Sequence, residues 1–158
     1  MQLRKELRKR IKDRLLNQTS AGEKINVNPK AYDEQYPFIE VFTPIDDSEL
    51  ISNSVRATGH NLQVIIDAVT ESDKEDIYDA LDDLAEEIET QVEKDETFGN
   101  LTSSLVLTKT ESDAVYEGKR TTGFIRLIYE GSYVKQKTKK VDPKLPKFKG
   151  IQIGGMDA

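Results

Sequence analysis

Cysteine is absent from all 158 residues of the chain. Without a thiol there is no disulfide framework, no thiolate metal site and no cysteine nucleophile. The chain gains nothing from an oxidising compartment, so a cytosolic home is the simplest inference.

Histidine is nearly absent as well. His60 is the one imidazole that could serve as a catalytic base, and no Gly-x-Ser-x-Gly motif accompanies it. It follows Gly59 at the predicted entry to a strand, where a structural or surface role is the simpler interpretation. No phosphate-binding glycine pattern and no calcium-loop spacing occur. We therefore expect no enzyme activity, no cofactor and no metal.

A long apolar run is missing from the N-terminal segment. Residues 1–16, MQLRKELRKRIKDRLL, carry charges at almost every turn. Such a stretch is typical neither of a signal peptide nor of a membrane span. No membrane partner is expected.

Charge is unevenly distributed along the chain. Residues 1–16 hold seven basic and two acidic residues, residues 17–130 nine and 25, and residues 131–158 seven and two. An acidic body thus carries two basic ends. One interpretation is that the charge serves solubility; the other is that the basic ends contact acidic surfaces on neighbouring copies or partners. Nucleic-acid binding through the basic ends is disfavoured by the acidic body.

Hydrophobic periodicity predicts the elements of the first half. Apolar residues every four positions predict an amphipathic helix over 1–16, which Asn17 to Gly22 ends. A connection over 23–37 leads to a strand at 38–43, which Pro44 and the following aspartates break. Further strands are predicted at 49–55 and 62–69, the latter central, with both faces at least partly covered.

A capping box at Ser72 to Glu75 predicts the start of a second helix. The apolar stripe that follows predicts a helix from Asp73 to Lys94, about 33 Å long at ~1.5 Å per residue, with an acidic outer face.

A hairpin and a basic segment complete the prediction. Strands at 103–110 and 122–130 enclose a polar tip at 111–121, and the lysine-rich residues from Ser132 onward are predicted to be disordered in the monomer. The fold class is α+β: a mixed or antiparallel sheet of about four to five strands, with the long acidic helix packed on one face and the N-terminal amphipathic helix. Residues 1–131 form one domain and residues 132–158 a flexible tail.

Three stretches resemble the tail-terminator proteins of long-tailed bacteriophages, of the minor tail protein U type. They are DEQYPFIEVF at 33–42, the strand leading into a capped acidic helix at 60–93, and GFIRLIYE at 123–130. With the N-terminal helix, the resemblance covers about residues 3–130. These are fold-level patterns, and the lysine-rich tail departs from them.

The resemblance implies a structural virion protein and not an enzyme. Such proteins form a hexameric ring on the head-proximal end of the tail tube, halt tube polymerisation and present a surface for head joining. The implied partners are further copies of the chain, the tail tube protein and the head-completion or connector protein. The implied location is the virion tail, after assembly in the host cytoplasm.

Two sets of residues are candidates for these contacts, chosen by length, polarity and charge. The partner-binding candidates are Asp46, Asp47, Glu49, Glu111, Asp113, Tyr116, Glu117, Lys119 and Arg120. The subunit-interface candidates are Arg4, Arg8, Lys12, Asp79, Asp83 and Glu86.

Three other functions stay open at the level of sequence. A head-tail completion or neck protein would bind the connector and not the tube. A nucleic-acid-binding adaptor would show a steep salt dependence. An undetected hydrolase would need a nucleophile beside His60.

Overall fold

The structure is a computed structural model that describes residues 2–28, 35–52 and 56–136, and the backbone of two short strands near the C-terminus. Its elements in chain order are α1 (Leu3–Leu15), β1 (Ile25–Asn26), β2 (Phe38–Ser52), β3 (Ala57–Ser72), α2 (Ile77–Val92), β4 (Val106–Glu117), β5 (Arg120–Gln136), β6 (Ile153–Gly154) and β7 (Met156–Asp157).

One five-stranded sheet organises the fold, in the order β1-β2-β3-β5-β4. β1 runs parallel to β2, and the other neighbours in this sheet are antiparallel. β6 and β7 form a separate two-stranded pair. The predicted α+β class, with a mixed sheet and two helices, is confirmed.

Both helices pack on the same face of the sheet. α1 buries Leu7, Ile11 and Leu15, the apolar positions that the four-residue spacing predicted. Asn17, just beyond α1, has φ 58°, the left-handed conformation expected where the helix ends. α2 lies so close to β5 that a Cβ added at Gly123 would come within 2.8 Å of Ile77 Cγ1. Helices and sheet therefore share one core.

The second helix is shorter than predicted. α2 has 16 residues and begins at Ile77, and its N-cap residue Asp76 makes no side-chain capping bond. The predicted capping box is wrong because Ser72 still belongs to β3, where it pairs with Thr121. α2 is about 24 Å long at ~1.5 Å per residue.

The strands are longer than predicted. Pro44 does not end β2, because a bulge between Phe42 and Ile45 takes up the residue that has no N–H to donate. Beyond the bulge the ladder with β3 resumes and continues to Ser52. Of the second strand predicted at 49–55, residues 53–55 lie outside the described residues.

The predicted polar tip at 111–121 is also strand. β4 continues to Glu117, and a two-residue turn at Gly118 and Lys119 joins it to β5. Gly118 has φ 60°, which suits the first position of a tight hairpin turn. At its other end β5 extends to Gln136, past the domain boundary predicted at residue 131. Residues 137–152 of the predicted flexible tail lie outside the described residues.

Arg14 on α1 caps the carboxyl end of α2. Its guanidinium donates to the carbonyls of Asp95 at 2.6 Å and Val92 at 3.3 Å, and lies 3.7 Å from the centre of the Phe98 ring. α2 has no basic residue in its own last turn. A cation on the first helix thus complements the dipole of the second.

We expect Arg14→Ala to lower the free energy of unfolding by about 1.5–3 kcal/mol, because the carbonyls lose a charged donor. Arg14→Lys should recover only part of this, since an ammonium cannot reproduce the planar fork. Urea unfolding measures both.

The matched control for this prediction is Lys12→Ala, on the same helix. The Lys12 side chain makes no hydrogen bond or ion pair with the described residues, so its removal should stay within about 0.5 kcal/mol of wild type. Equal losses for Arg14→Ala and Lys12→Ala would contradict the capping role.

Candidate functional site

The sheet has two exposed ends at opposite poles. The first, named here the β2–β3 end, comprises residues 49–52, 56–59 and 134–136, because Ser52 pairs with Ala57 and Ala57 with Gln136. The second, the β4–β5 end, comprises residues 115–121 and 71–74. Strands of the length of β3, 16 residues, span ~50 Å at ~3.3 Å per residue. The two ends are therefore far apart on one rigid element.

One face of the sheet carries neither described helix. We call it the open sheet face and define it by the side chains that alternate away from the helices. Burial along β5 shows the alternation: Ile125 and Leu127 are buried, whereas Phe124 is 38% and Val134 62% exposed. The apolar members of the open sheet face include Phe38, Phe42, Ile45, Ile65, Val69, Val106, Val115, Phe124, Ile128 and Val134.

A groove of about 530 Å³ crosses the middle of the open sheet face. Strands β2, β3, β5 and β4 all contribute to its walls, and the bulge in β2 lies at its rim. Its lining is mixed: Ile45 and Val106 are apolar, whereas Asn61, Gln63 and Glu130 are polar. Nothing in this lining constitutes a catalytic arrangement.

An ion pair sits in the centre of the same face. Arg126 donates from Nε and Nη2 to the two carboxylate oxygens of Asp67, both at 2.9 Å. This hydrogen bonding raises the pKa of Arg126. Burial, together with the charge of Asp67, raises the pKa of nearby Glu40. Because Asp67 neutralises the charge of Arg126, acidic groups such as Glu40 remain in excess around this pair on the open sheet face.

A second polar cluster lies on the helix side, near the β2–β3 end. Asp46 accepts a hydrogen bond from His60 Nδ1 at 2.7 Å and one from the hydroxyl of Tyr133. Arg4 Nε lies 3.5 Å from the same carboxylate. The His60 and Tyr133 rings stack at 4.4 Å. The cluster joins α1, β2, β3 and β5.

The Asp46 carboxylate is stabilised in its charged form. Burial alone would raise the pKa of Asp46, but the hydrogen bonds from Tyr133 and His60 and the positive charge of Arg4 outweigh it, so the pKa is lowered. Burial and the bond to Asp46 raise the pKa of the Tyr133 hydroxyl.

A histidine bonded to an aspartate resembles the base and orienting residue of a nucleophilic site, but no nucleophile accompanies this pair among the described residues. Ser48 lies opposite His60 in the ladder, and no described hydroxyl is hydrogen-bonded to the imidazole; the Tyr133 hydroxyl donates to the Asp46 carboxylate. The structural role predicted for His60 fits its place in this cluster. Within the described residues no group of His, Asp and Glu side chains is arranged to hold a metal ion.

The partner-binding candidates divide between the two ends and the open sheet face. Asp46 is turned inward and engaged by the cluster, so its carboxylate is occupied within the subunit. Asp47 and Glu49 are exposed on β2, and on β4 the exposed candidates are Glu111, Asp113 and Glu117.

The remaining candidates gather at the β4–β5 end. Tyr116 is 52% exposed there, and the ammonium of Lys74 lies 5.1 Å from the centre of its ring. Lys119 occupies the turn. Arg120 bonds Glu71 at 3.0 Å, an exposed pair of small energetic weight. These residues form one exposed patch although they were predicted as a loop.

The subunit-interface candidates behave differently on the two helices. On α1, Arg4 contacts Asp46 and Arg8 donates to the Thr43 hydroxyl, so both are used within the subunit; Lys12 is half-buried. On α2 all three candidates point to solvent. They are Asp79, Asp83 and Glu86.

Sequence reasoning missed the open sheet face. The available signal was a second series of apolar residues at the alternate positions of the strands, such as Ile65 and Val69 in β3. This series was taken to indicate that other parts of the protein at least partly cover both faces of the strand. Tyr133 was also missed, because the chain was predicted to leave the fold at Ser132.

Comparisons with known proteins leave the family open. No protein-family model matches the chain, and no curated protein matches it. Among the described residues no helix is long and apolar enough to cross a membrane.

We expect Asp46→Asn to destabilise the protein by about 1–3 kcal/mol at pH 7, because two partly buried donors, His60 and Tyr133, and the cation of Arg4 lose their charged acceptor. A carboxylate with a lowered pKa in the folded state contributes stability above its unfolded pKa of about 3.9 and loses it as pH falls through the folded pKa. The difference between wild type and variant should therefore shrink between pH 5 and pH 3 in urea unfolding.

The control is the neighbouring exposed residue, in Asp47→Asn. Its effect should stay within about 0.5 kcal/mol of wild type at pH 7. A difference between wild type and Asp46→Asn that is constant from pH 7 to pH 3 would show that Asp46 is not the group that loses its charge.

Proposed function

We propose that this protein caps the head-proximal end of a phage tail tube as a ring of six copies, ends tube polymerisation and offers the surface for head joining. The observation that supports it best is the single rigid sheet whose two exposed ends lie ~50 Å apart. A terminator has to meet the tube on one side and the head on the other. A sheet that extends beyond its helical layer at both poles is suited to that task.

The helical layer is much shorter than the sheet. α2 is about 24 Å long and the long strands about 50 Å. Side chains near both ends are consequently exposed, among them Leu50 and Ile51 at one pole and Val115 and Tyr116 at the other. Contacts at the poles can form without disturbing the core.

The two ends differ chemically. At the β2–β3 end Leu50 and Ile51 are each 58% exposed, which gives that end an apolar character. The β4–β5 end combines the charged turn residues Glu117 and Lys119 with Tyr116. A subunit with unlike ends pairs with the last tube ring through one of them and denies the next ring a matching surface. Polymerisation then stops after one layer.

Ring closure needs two different lateral surfaces, since head-to-tail contacts close into a circle when the rotation per subunit permits. The sheet edge at β4 and the acidic exposed side of α2 lie on different sides of the subunit and supply such a pair. The fold holds both in fixed geometry because one core joins helices and sheet.

We expect purified protein, added to polymerising tail tubes, to yield tubes that are closed at one end and no longer grow. Electron microscopy of tube lengths and ends measures this. Two variants separate the ends: Leu50→Ser with Ile51→Ser at the β2–β3 end, and Glu117→Lys with Lys119→Glu at the β4–β5 end, which keeps the net charge. Each should abolish one of the two steps, tube capping or head joining, and spare the other.

The control is Glu96→Gln, at an exposed position in the connection between α2 and β4, which should keep both steps. Overlong, uncapped tubes with the wild-type protein would contradict the proposal. Binding to the connector without binding to the tube would instead identify a neck protein.

A further inference from the structure

The open sheet face is too apolar to be an ordinary solvated surface. Val134, Val106 and Ile45 are 62%, 58% and 45% exposed, and Phe124, beyond the paired Arg126 and Asp67 along the same face, is 38% exposed. Exposed apolar side chains that recur along one face among polar ones favour a binding surface. Its partner must be apolar in part.

The same face is acidic. Its carboxylates outnumber its cations, and Arg126 is already paired with Asp67. Lys109 is likewise paired, with Glu111 at 3.0 Å. The carboxylates that stand on this face beside the central pair are Glu40, Asp47, Glu49, Glu111, Asp113 and Glu130. A partner that combines apolar and basic side chains complements it in both respects.

Such a sequence follows β5 directly. Residues 137–152 read KTKKVDPKLPKFKGIQ and hold six lysines against the single acid Asp142. Apolar side chains are interspersed among the lysines at Val141, Leu145, Phe148 and Ile151. The composition matches what the open sheet face requires.

The end of β5 places the start of residues 137–152 beside the open sheet face. β5 ends at Gln136, on the border of the open sheet face, and the groove begins at Ser132, four positions back along the strand. Residues 137–152 could reach ~50 Å if extended at ~3.3 Å per residue, the length of the sheet. A tethered segment also acts at a high effective concentration, of the order of millimolar for a short flexible link.

We propose that residues 137–152 dock on the open sheet face of their own subunit, with lysines against its carboxylates and Leu145 and Phe148 against exposed apolar side chains such as Ile45 and Phe124. The segment thereby covers apolar side chains that the helices leave exposed. This interaction does not depend on the proposed function in the tail, because it takes place within one copy.

The absence of cysteine allows a site-specific test in the full chain. A nitroxide is attached at Gly150→Cys, which removes neither a charge nor an apolar side chain, and the isoleucine methyl groups are observed by NMR. Docking should strongly reduce the signals of Ile45, Ile65 and Ile128 on the open sheet face. The signals of Ile39 and Ile88, which lie behind the sheet, should lose less intensity.

Charge reversal supplies the matched comparison. Lys144→Glu with Lys147→Glu and Lys149→Glu should restore the signals on the open sheet face. Lys5→Glu with Lys9→Glu, at exposed positions on α1, should leave them reduced. Equal reduction on both sides of the sheet, or none, would overturn the proposal.

A mixed sample decides between docking within a copy and between copies. Wild-type protein with labelled methyl groups is combined with nitroxide-bearing protein that carries no methyl label. Unaffected wild-type signals support docking within the subunit. The comparison is with the sample in which one chain carries both the nitroxide and the methyl label. Equally large signal loss on the open sheet face of the wild-type chains would place the segment on a neighbouring copy and refute the proposal as stated.

Discussion

The continuous pairing of β3 with β5 is the interaction on which the rest of the structure depends. It runs without a break from Ala57 opposite Gln136 to Ser72 opposite Thr121. Because the ladder is regular, side chains from both strands alternate in phase along its whole length. One set forms the floor of the core beneath α2, and the other set forms the open sheet face. A shift of one residue in this register would exchange the two.

The helices cover only one side and only part of the length of this ladder. The core lies between the helices and the sheet, whereas none of the described helices covers the open sheet face or the two ends of the sheet. Two contacts join α1 to distant parts of the chain: Arg14 donates charged hydrogen bonds to the end of α2, and Arg4 forms an ion pair with Asp46. The surfaces proposed for function are therefore carried on a scaffold that does not depend on them.

The periodic spacing of apolar residues correctly predicted the position of α1 and the centre of β3. The four-residue spacing of Leu7, Ile11 and Leu15 identified α1, and the alternation around Val64 identified the centre of β3. Strand length could not be predicted in the same way, because polar stretches such as Glu111 to Glu117 are held in the sheet by pairing with β5 and not by their own propensity.

The bulge at Pro44 explains a further error. Even-numbered residues face the open side before it, as Phe42 does, and odd-numbered residues face that side after it, as Ile45 does. Pro44 and the aspartates that follow it were taken to end the strand, so one strand was predicted as two. Of the candidate site, sequence located charged residues at both ends of the sheet, but not the apolar face between them, since that face is assembled from four strands.

The described chain enters and leaves the fold at the same pole. Arg4 lies against Asp46 near the start of α1, and Gln136 is paired with Ala57 at the close of β5. A fluorescent protein or affinity tag fused at the N-terminus would thus lie near the β2–β3 end and leave the opposite pole unmarked. The turn at Gly118, with no other atom within 4 Å of a Cβ built there, is the place for an insertion that reports on the other pole.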